Sequence, residues 1–176
     1  LDDQIQSFPL TIISHRLGEL FCVMPHDGVA NAAAWEQRAA YDQETSTPYY
    51  YSVRFDDSLI TTEFTPTARC GYFRFTFPSE KPVLLLANRT GGNLTAVESN
   101  TISGTEHFNG MQAFVYGEFS APVTFTHSQN GENERVAVTA NTKNKTLEFR
   151  YGISFISVEQ ARKNLGEVGD IADRVF

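Results

Sequence analysis

Hydrophobic and polar residues alternate in short runs along most of this chain, and turn-forming residues interrupt them. Tyr72-Phe73-Arg74-Phe75-Thr76-Phe77 is the clearest case. Side chains on a strand point to alternate sides, so Phe73, Phe75 and Phe77 share one face and Tyr72, Arg74 and Thr76 the other. Pro78 closes that strand because it has no N–H to give a ladder. Leu59 to Thr67 alternates in the same way. Tyr49 to Phe55 is aromatic and β-branched and ends in a turn at Asp56-Asp57. Leu20 to Met24 is a short apolar run that stops at Pro25, and Val83 to Ala87 reads as a buried strand. Asn88 to Asn93 is a turn cluster. Leu94 to Glu98 and Thr101 to Thr105 form a hairpin through Ser99-Asn100. Further strands fit Gln112 to Phe119, Val123 to His127, Arg135 to Ala140 and Leu147 to Ser157, with turns at Asn130-Gly131 and Asn141 to Lys145. About ten short strands at this spacing predict an all-β sandwich or barrel of antiparallel sheets.

The period changes at Ser157. Ser157-Val158-Glu159-Gln160 has the form of a capping box. Val158, Ala161 and Leu165 then fall at helical spacing, Gly166 ends the helix, and Ile171, Ala172 and Val175 predict a further helical turn. The chain thus divides into a β body over 1–157 and a helical tail over 158–176. Ala30 to Ala40 has helix-forming composition and reads as a short helix or an excursion between strands.

Composition narrows the function classes. The 176 residues are 41% hydrophobic and 20% charged, with 14 Phe and 7 Tyr. This is too apolar for a disordered chain. No run of 18 apolar residues is present, so no helix is expected to span a membrane. A net charge of −7 argues against nucleic acid, which selects a basic stripe. Leu1-Asp2-Asp3-Gln4 carries neither the basic nor the apolar part of a signal peptide.

Candidate chemistry is sparse. Cys22 and Cys70 each sit in an apolar stretch and read as small buried hydrophobes, with a disulfide as the minority reading. None of His15, His26, His107 and His127 pairs with another at metal-ligand spacing, and His15 near Glu19 is a weak pattern. Asp56-Asp57 is a turn, because adjacent strand residues point apart and would not flank one glycosidic bond. Ser103-Gly104 and Gly91-Gly92 read as turns rather than nucleophile or phosphate loops. Sequons begin at Asn88, Asn93 and Asn144, a pattern common by chance. Trp35 is the one residue with a site reading: an indole face stacks on the apolar face of a sugar ring, although a Trp is more often core or interface. Tyr49-Tyr50-Tyr51 offers a second aromatic platform.

Specific motifs add to this. Tyr151-Gly152-Ile153-Ser154-Phe155-Ile156-Ser157-Val158-Glu159-Gln160-Ala161-Arg162-Lys163-Asn164-Leu165 closely resembles a signature of the bacterial α-mannosidases of glycoside hydrolase family 92. In that family it closes the N-terminal β-domain. Val23-Met24-Pro25 is similar to the family's strand-ending Met-Pro, and Thr47 to Val53 to its Pro-Gly-Tyr-Tyr strand. Thr61 to Pro78 and Ile102-Ser103-Gly104 follow in the family's order. The likeness runs from about residue 12 to residue 165.

The resemblance implies an antiparallel, supersandwich-like β-sandwich that packs on an (α/α)6 catalytic domain and shapes its cleft. That domain, absent from this chain, would carry the catalytic Glu and Asp and the calcium. The parent reaction would be exo-acting, inverting removal of α-mannose, in which one carboxylic acid protonates the leaving oxygen and another carboxylate activates water. No catalytic residue and no metal ligand is carried over to this chain, which alone is expected to be inactive. The expected partners are the catalytic domain and a mannose-containing oligosaccharide. Export to the periplasm or surface of a bacterium is the expected address. The alternative is a stand-alone carbohydrate-binding or structural β-sandwich module.

Overall fold

The structure is a computed structural model and describes residues 4–14 and 18–169. Among the described residues, fourteen strands form two antiparallel sheets, followed by one short helix. In chain order they are β1 (Gln4–Ile5), β2 (Phe8–Ser14), β3 (Gly18–His26), β4 (Ala39–Thr47), β5 (Tyr50–Phe55), β6 (Thr61–Pro66) and β7 (Cys70–Thr76). Then come β8 (Val83–Ala87), β9 (Gly92–Glu98), β10 (Thr101–Phe108), β11 (Met111–Phe119), β12 (Val123–Asn130), β13 (Asn133–Ala140) and β14 (Thr146–Ser154). The helix, α1, is Val158–Asn164. The larger sheet has nine strands in the order β1-β4-β5-β6-β7-β14-β11-β10-β9, and the smaller has five in the order β12-β13-β8-β3-β2. The fold is therefore an antiparallel sandwich; two separate sheets, not a closed barrel, resolve the choice that periodicity left open.

The core lies between the sheets. The predicted phenylalanine face supplies its centre: Phe73, Phe75 and Phe77 are buried, and Phe149 and Tyr151 of β14 stack beside Phe73. The Tyr151 hydroxyl donates 2.8 Å to the Leu10 carbonyl on β2 and so ties the two sheets through the core. Burial pushes that hydroxyl's pKa far up, so it stays a donor. Val83 to Ala87 is buried on both faces. Leu84 and Leu86 face the core, while Val83 and Leu85 lie under a short 3₁₀ turn on the outer face. This explains its unbroken apolar run.

The helix covers a second apolar cluster on the outer face of the nine-stranded sheet, built from Cys70, Tyr72, Tyr116, Ala161, Leu165 and Val168. Its predicted cap is present, with Ser157 Oγ accepting from the Gln160 N–H at 3.1 Å. The box is half formed, because the Gln160 amide turns forward to Asn164 instead. The α-helix ends at Asn164 and a 3₁₀ turn continues over Leu165–Val168, so Gly166 lies inside that turn rather than ending the helix. Cys70 donates to the Asn164 carbonyl at 2.8 Å, and burial pushes its pKa up to about 11. The expected turn at Ile171, Ala172 and Val175 lies outside the described residues.

Three other expectations change. β3 runs through Pro25 to His26, because β2 begins at Phe8, opposite Val23, and only β8 flanks Pro25, leaving one edge that needs no N–H. Ser103-Gly104 lies inside β10 rather than in a turn; Gly104 is needed there because a Cβ would meet the Asn93 carbonyl at 2.7 Å. The structure adds β1, β2 and β4 to the expected strands; β1 has only two residues, β4 is too polar to alternate, and β2, although Phe8, Leu10 and Ile12 alternate, carries a proline at its second position that argues against a strand.

Candidate functional site: the Trp35 cleft

The segment that carries Trp35 is neither a strand nor an α-helix. β3 ends at His26, and Gly28 takes φ +103°, a left-handed value that glycine adopts without strain. His26 Nε2 lies 3.3 Å from the Val29 carbonyl and holds the loop. Asn31 then caps a 3₁₀ turn over Ala32–Glu36, its Oδ1 accepting from the N–H groups of Ala33 and Ala34 at 3.0 and 3.1 Å. Three alanines keep the turn small enough to lie flat on the outer face of the five-stranded sheet. Ala34 is buried there against Val83, Leu85 and Ala137. Trp35 is half-buried at the edge of this patch.

Trp35 borders an open cleft of about 200 Å³. Its floor is Cys22, Met24, Leu85 and Ala87 of β3 and β8, and its walls carry Gln6, Ser7, Arg89, Asn133 and Arg135. The Arg135 guanidinium sits 5.4 Å from the Trp35 ring centroid and pairs with Glu36 at 2.5 Å. Arg89 pairs with Glu19 at 3.5 Å and donates to Ser7 Oγ at 3.1 Å. Each arginine thus has a carboxylate partner, and the cleft presents donors and acceptors with balanced charge beside one aromatic edge. Such a surface suits a neutral, hydroxyl-rich ligand more than an anion. Small-molecule pockets commonly span ~300–1,000 Å³, so this cleft is small for one.

The structure leaves the other candidate residues apart. Tyr49, Tyr50 and Tyr51 lie at the β4–β5 hairpin on the other sheet. Tyr50 donates to Glu63 at 2.8 Å and Tyr51 to Glu44 at 2.9 Å, and none of the three borders the cleft. Cys22 and Cys70 are free thiols on different sheets; Cys22 is half-buried in the cleft floor, and burial pushes its pKa up. Asp56-Asp57 is a turn, as is the 88–91 segment. His127 pairs with Glu134 at 2.8 Å on an exposed strand. His15 lies outside the described residues. Among the described residues, no three His, Cys, Asp or Glu side chains gather as a metal site.

The sequence singles out Trp35 as a candidate and gives no sign of the residues that share its cleft. Gln6, Arg89 and the β13 pair Asn133 and Arg135 come from three distant segments, and only the tertiary fold brings them together. The turn cluster at 88–93 gave no sign that its arginine would enter a cleft.

The comparisons agree with this fold. A search of curated proteins finds no match. Among solved structures, the chain superimposes on the family GH92 inverting mannosidase BT2199 from Bacteroides thetaiotaomicron VPI-5482 with a TM-score of 0.81 at 23% identity. That match covers 94% of this chain and 26% of the mannosidase. The family GH92 α-mannosidase BT3965 from Bacteroides thetaiotaomicron follows with a TM-score of 0.77, 20% identity, and coverage of 94% and 28%. The GH92 family glycosyl hydrolase ccman5 gives a TM-score of 0.75, 18% identity, and coverage of 98% and 30%. The chain therefore spans less than a third of the length of these relatives. The family described as the glycosyl hydrolase family 92 N-terminal domain matches residues 1–154, and the chain belongs to that family.

Proposed function

We propose that this chain is the non-catalytic N-terminal β-sandwich of an exo-acting α-mannosidase, packed on an (α/α)6 catalytic domain whose cleft it helps to shape. The observation that supports this most directly is the family match over residues 1–154, taken with relatives named as mannosidases that are more than three times as long. The Trp35 cleft fits the part. It offers stacking and neutral hydrogen bonding for sugar hydroxyls, and its volume suits one wall of a shared site. In this reading a mannose-containing oligosaccharide is the ligand and Trp35 contacts it. The acid and base of the inverting reaction belong to the other domain, as does calcium, which would hold sugar hydroxyls there. The parent enzyme would act outside the bacterial cytoplasm, in the periplasm or on the surface.

The chain by itself is expected to give no turnover of aryl or disaccharide α-mannosides; appreciable turnover refutes the reading. Trp35 is the single tryptophan, so its fluorescence reports directly on the cleft. Mannobiose should quench it in the wild type, while Trp35→Phe should bind more weakly by calorimetry with an unchanged melting point. No quench and no heat with the wild type would remove the sugar contact.

A further inference from the structure

Glu106 lies on the core-facing side of β10 and is fully buried. A carboxylate in the interior of a sandwich requires dedicated partners. Here they are backbone N–H groups from two other elements. The Phe21 N–H donates to Oε2 at 2.6 Å, and the Thr90 N–H donates to Oε1 at 2.6 Å. The Arg89 N–H also donates to Oε1, and the Thr90 hydroxyl lies 3.0 Å from it. Phe21 belongs to β3 of the smaller sheet and Glu106 to the larger, so one carboxylate bridges the layers. Phe21 takes φ +47°, an uncommon value for a bulky residue, which turns its amide out of the β3 ladder toward Glu106. The residues so held are next to the cleft. Arg89 is on a wall of it, and Cys22, directly after Phe21, is part of its floor.

We propose that Glu106 is a positioning residue for the Trp35 cleft, acting through the backbone of Arg89 and of Phe21-Cys22. It touches no ligand. Charge-assisted bonds from three backbone amides fix where the Arg89 side chain leaves the chain, and so where its guanidinium meets Ser7 and Glu19. The effect on sugar binding rests on the reading of the cleft given above.

The test uses Glu106→Gln in the full chain, because glutamine keeps the volume but turns an NH₂ group toward amide donors. A thiol reagent is applied and modification of the two cysteines is followed by peptide mass. Cys22 should react about tenfold faster than in the wild type, the loss expected when a charged hydrogen-bond network is broken. Cys70, buried under α1 on the other sheet, should be unchanged. An unchanged Cys22 rate overturns the proposal. So does an equal rise at both cysteines, which would make Glu106 a general stability element. In parallel, mannobiose affinity is measured for wild type, Glu106→Gln, Arg89→Ala and the double variant. Equal weakening by each single change and no further loss in the double is expected; losses that multiply overturn action through Arg89. If the wild type itself does not bind mannobiose, the sugar reading falls, and the cysteine rates still decide the role of Glu106.

Discussion

Gly152→Ala is the sharpest test of how the helix is attached. Gly152 lies on β14 beneath α1, and a Cβ there would stand 2.9 Å from the Leu165 backbone N and closer still to the Ala161 carbonyl oxygen. Both obstacles are backbone atoms of the helix and its following turn, so no side-chain rotation relieves them. The helix must lift. Lifting it opens the cluster around Ala161, Leu165 and Val168 and strains the Cys70 bond to the Asn164 carbonyl. The Asn164 amide, which donates to the Ile153 carbonyl at 2.8 Å, is strained as well. Overpacking of this kind with weakened buried hydrogen bonds costs about 2–3 kcal/mol. For a chain of this size that lowers Tm by about 4–12 °C. Scanning calorimetry measures the shift, and hydrogen exchange shows whether the α1 amides lose protection first. Gly166→Ala is the control, since nothing lies within 4 Å of its added Cβ; it should be neutral or slightly stabilising. A Gly152→Ala variant that melts within about 2 °C of wild type, with α1 still protected, would refute this account of the packing.

Three further outcomes are expected. Tyr151→Phe leaves the Leu10 carbonyl without its 2.8 Å donor in the core and should cost about 1–3 kcal/mol in urea unfolding. Asn31→Ala removes the side chain that caps the Trp35 turn and should cost about 1 kcal/mol, with a red shift of Trp35 emission as the turn loosens. The Glu167 carboxyl anchors the end of the helical segment to Arg69 and Thr67. Burial raises its pKa, but the bonds from Arg69 and Thr67 outweigh it and hold the carboxyl below its ordinary value. A lowered pKa gives stability that is present above the unfolded value and is lost as pH falls through the folded one. The melting point should therefore drop on acidification below about pH 4, and Arg69→Ala should flatten that part of the profile.

The strand faces were legible because period-2 patterning is a local consequence of backbone geometry. Phe73, Phe75 and Phe77 face inward as their spacing requires, and Ser157 caps α1 as its sequence context requires. What failed was also local: β4 has little apolar residue to bury on either face, so nothing in it alternates. Pro25 looked like a strand end because the sequence does not record that its neighbouring strand stops first.

By itself the sequence determined the all-β class, most strand positions, the helix start and the family likeness. Each follows from neighbours in the chain or from an ordered set of motifs. Only the tertiary structure decided the split into nine and five strands, because pairing partners are fixed by burial across the sandwich rather than by local propensity. It also decided that Trp35 shares a cleft with Arg89 and Arg135. And it turned Glu106, an unremarkable acid in an alternating strand, into a buried tie between the sheets, since three distant amide groups converge on it.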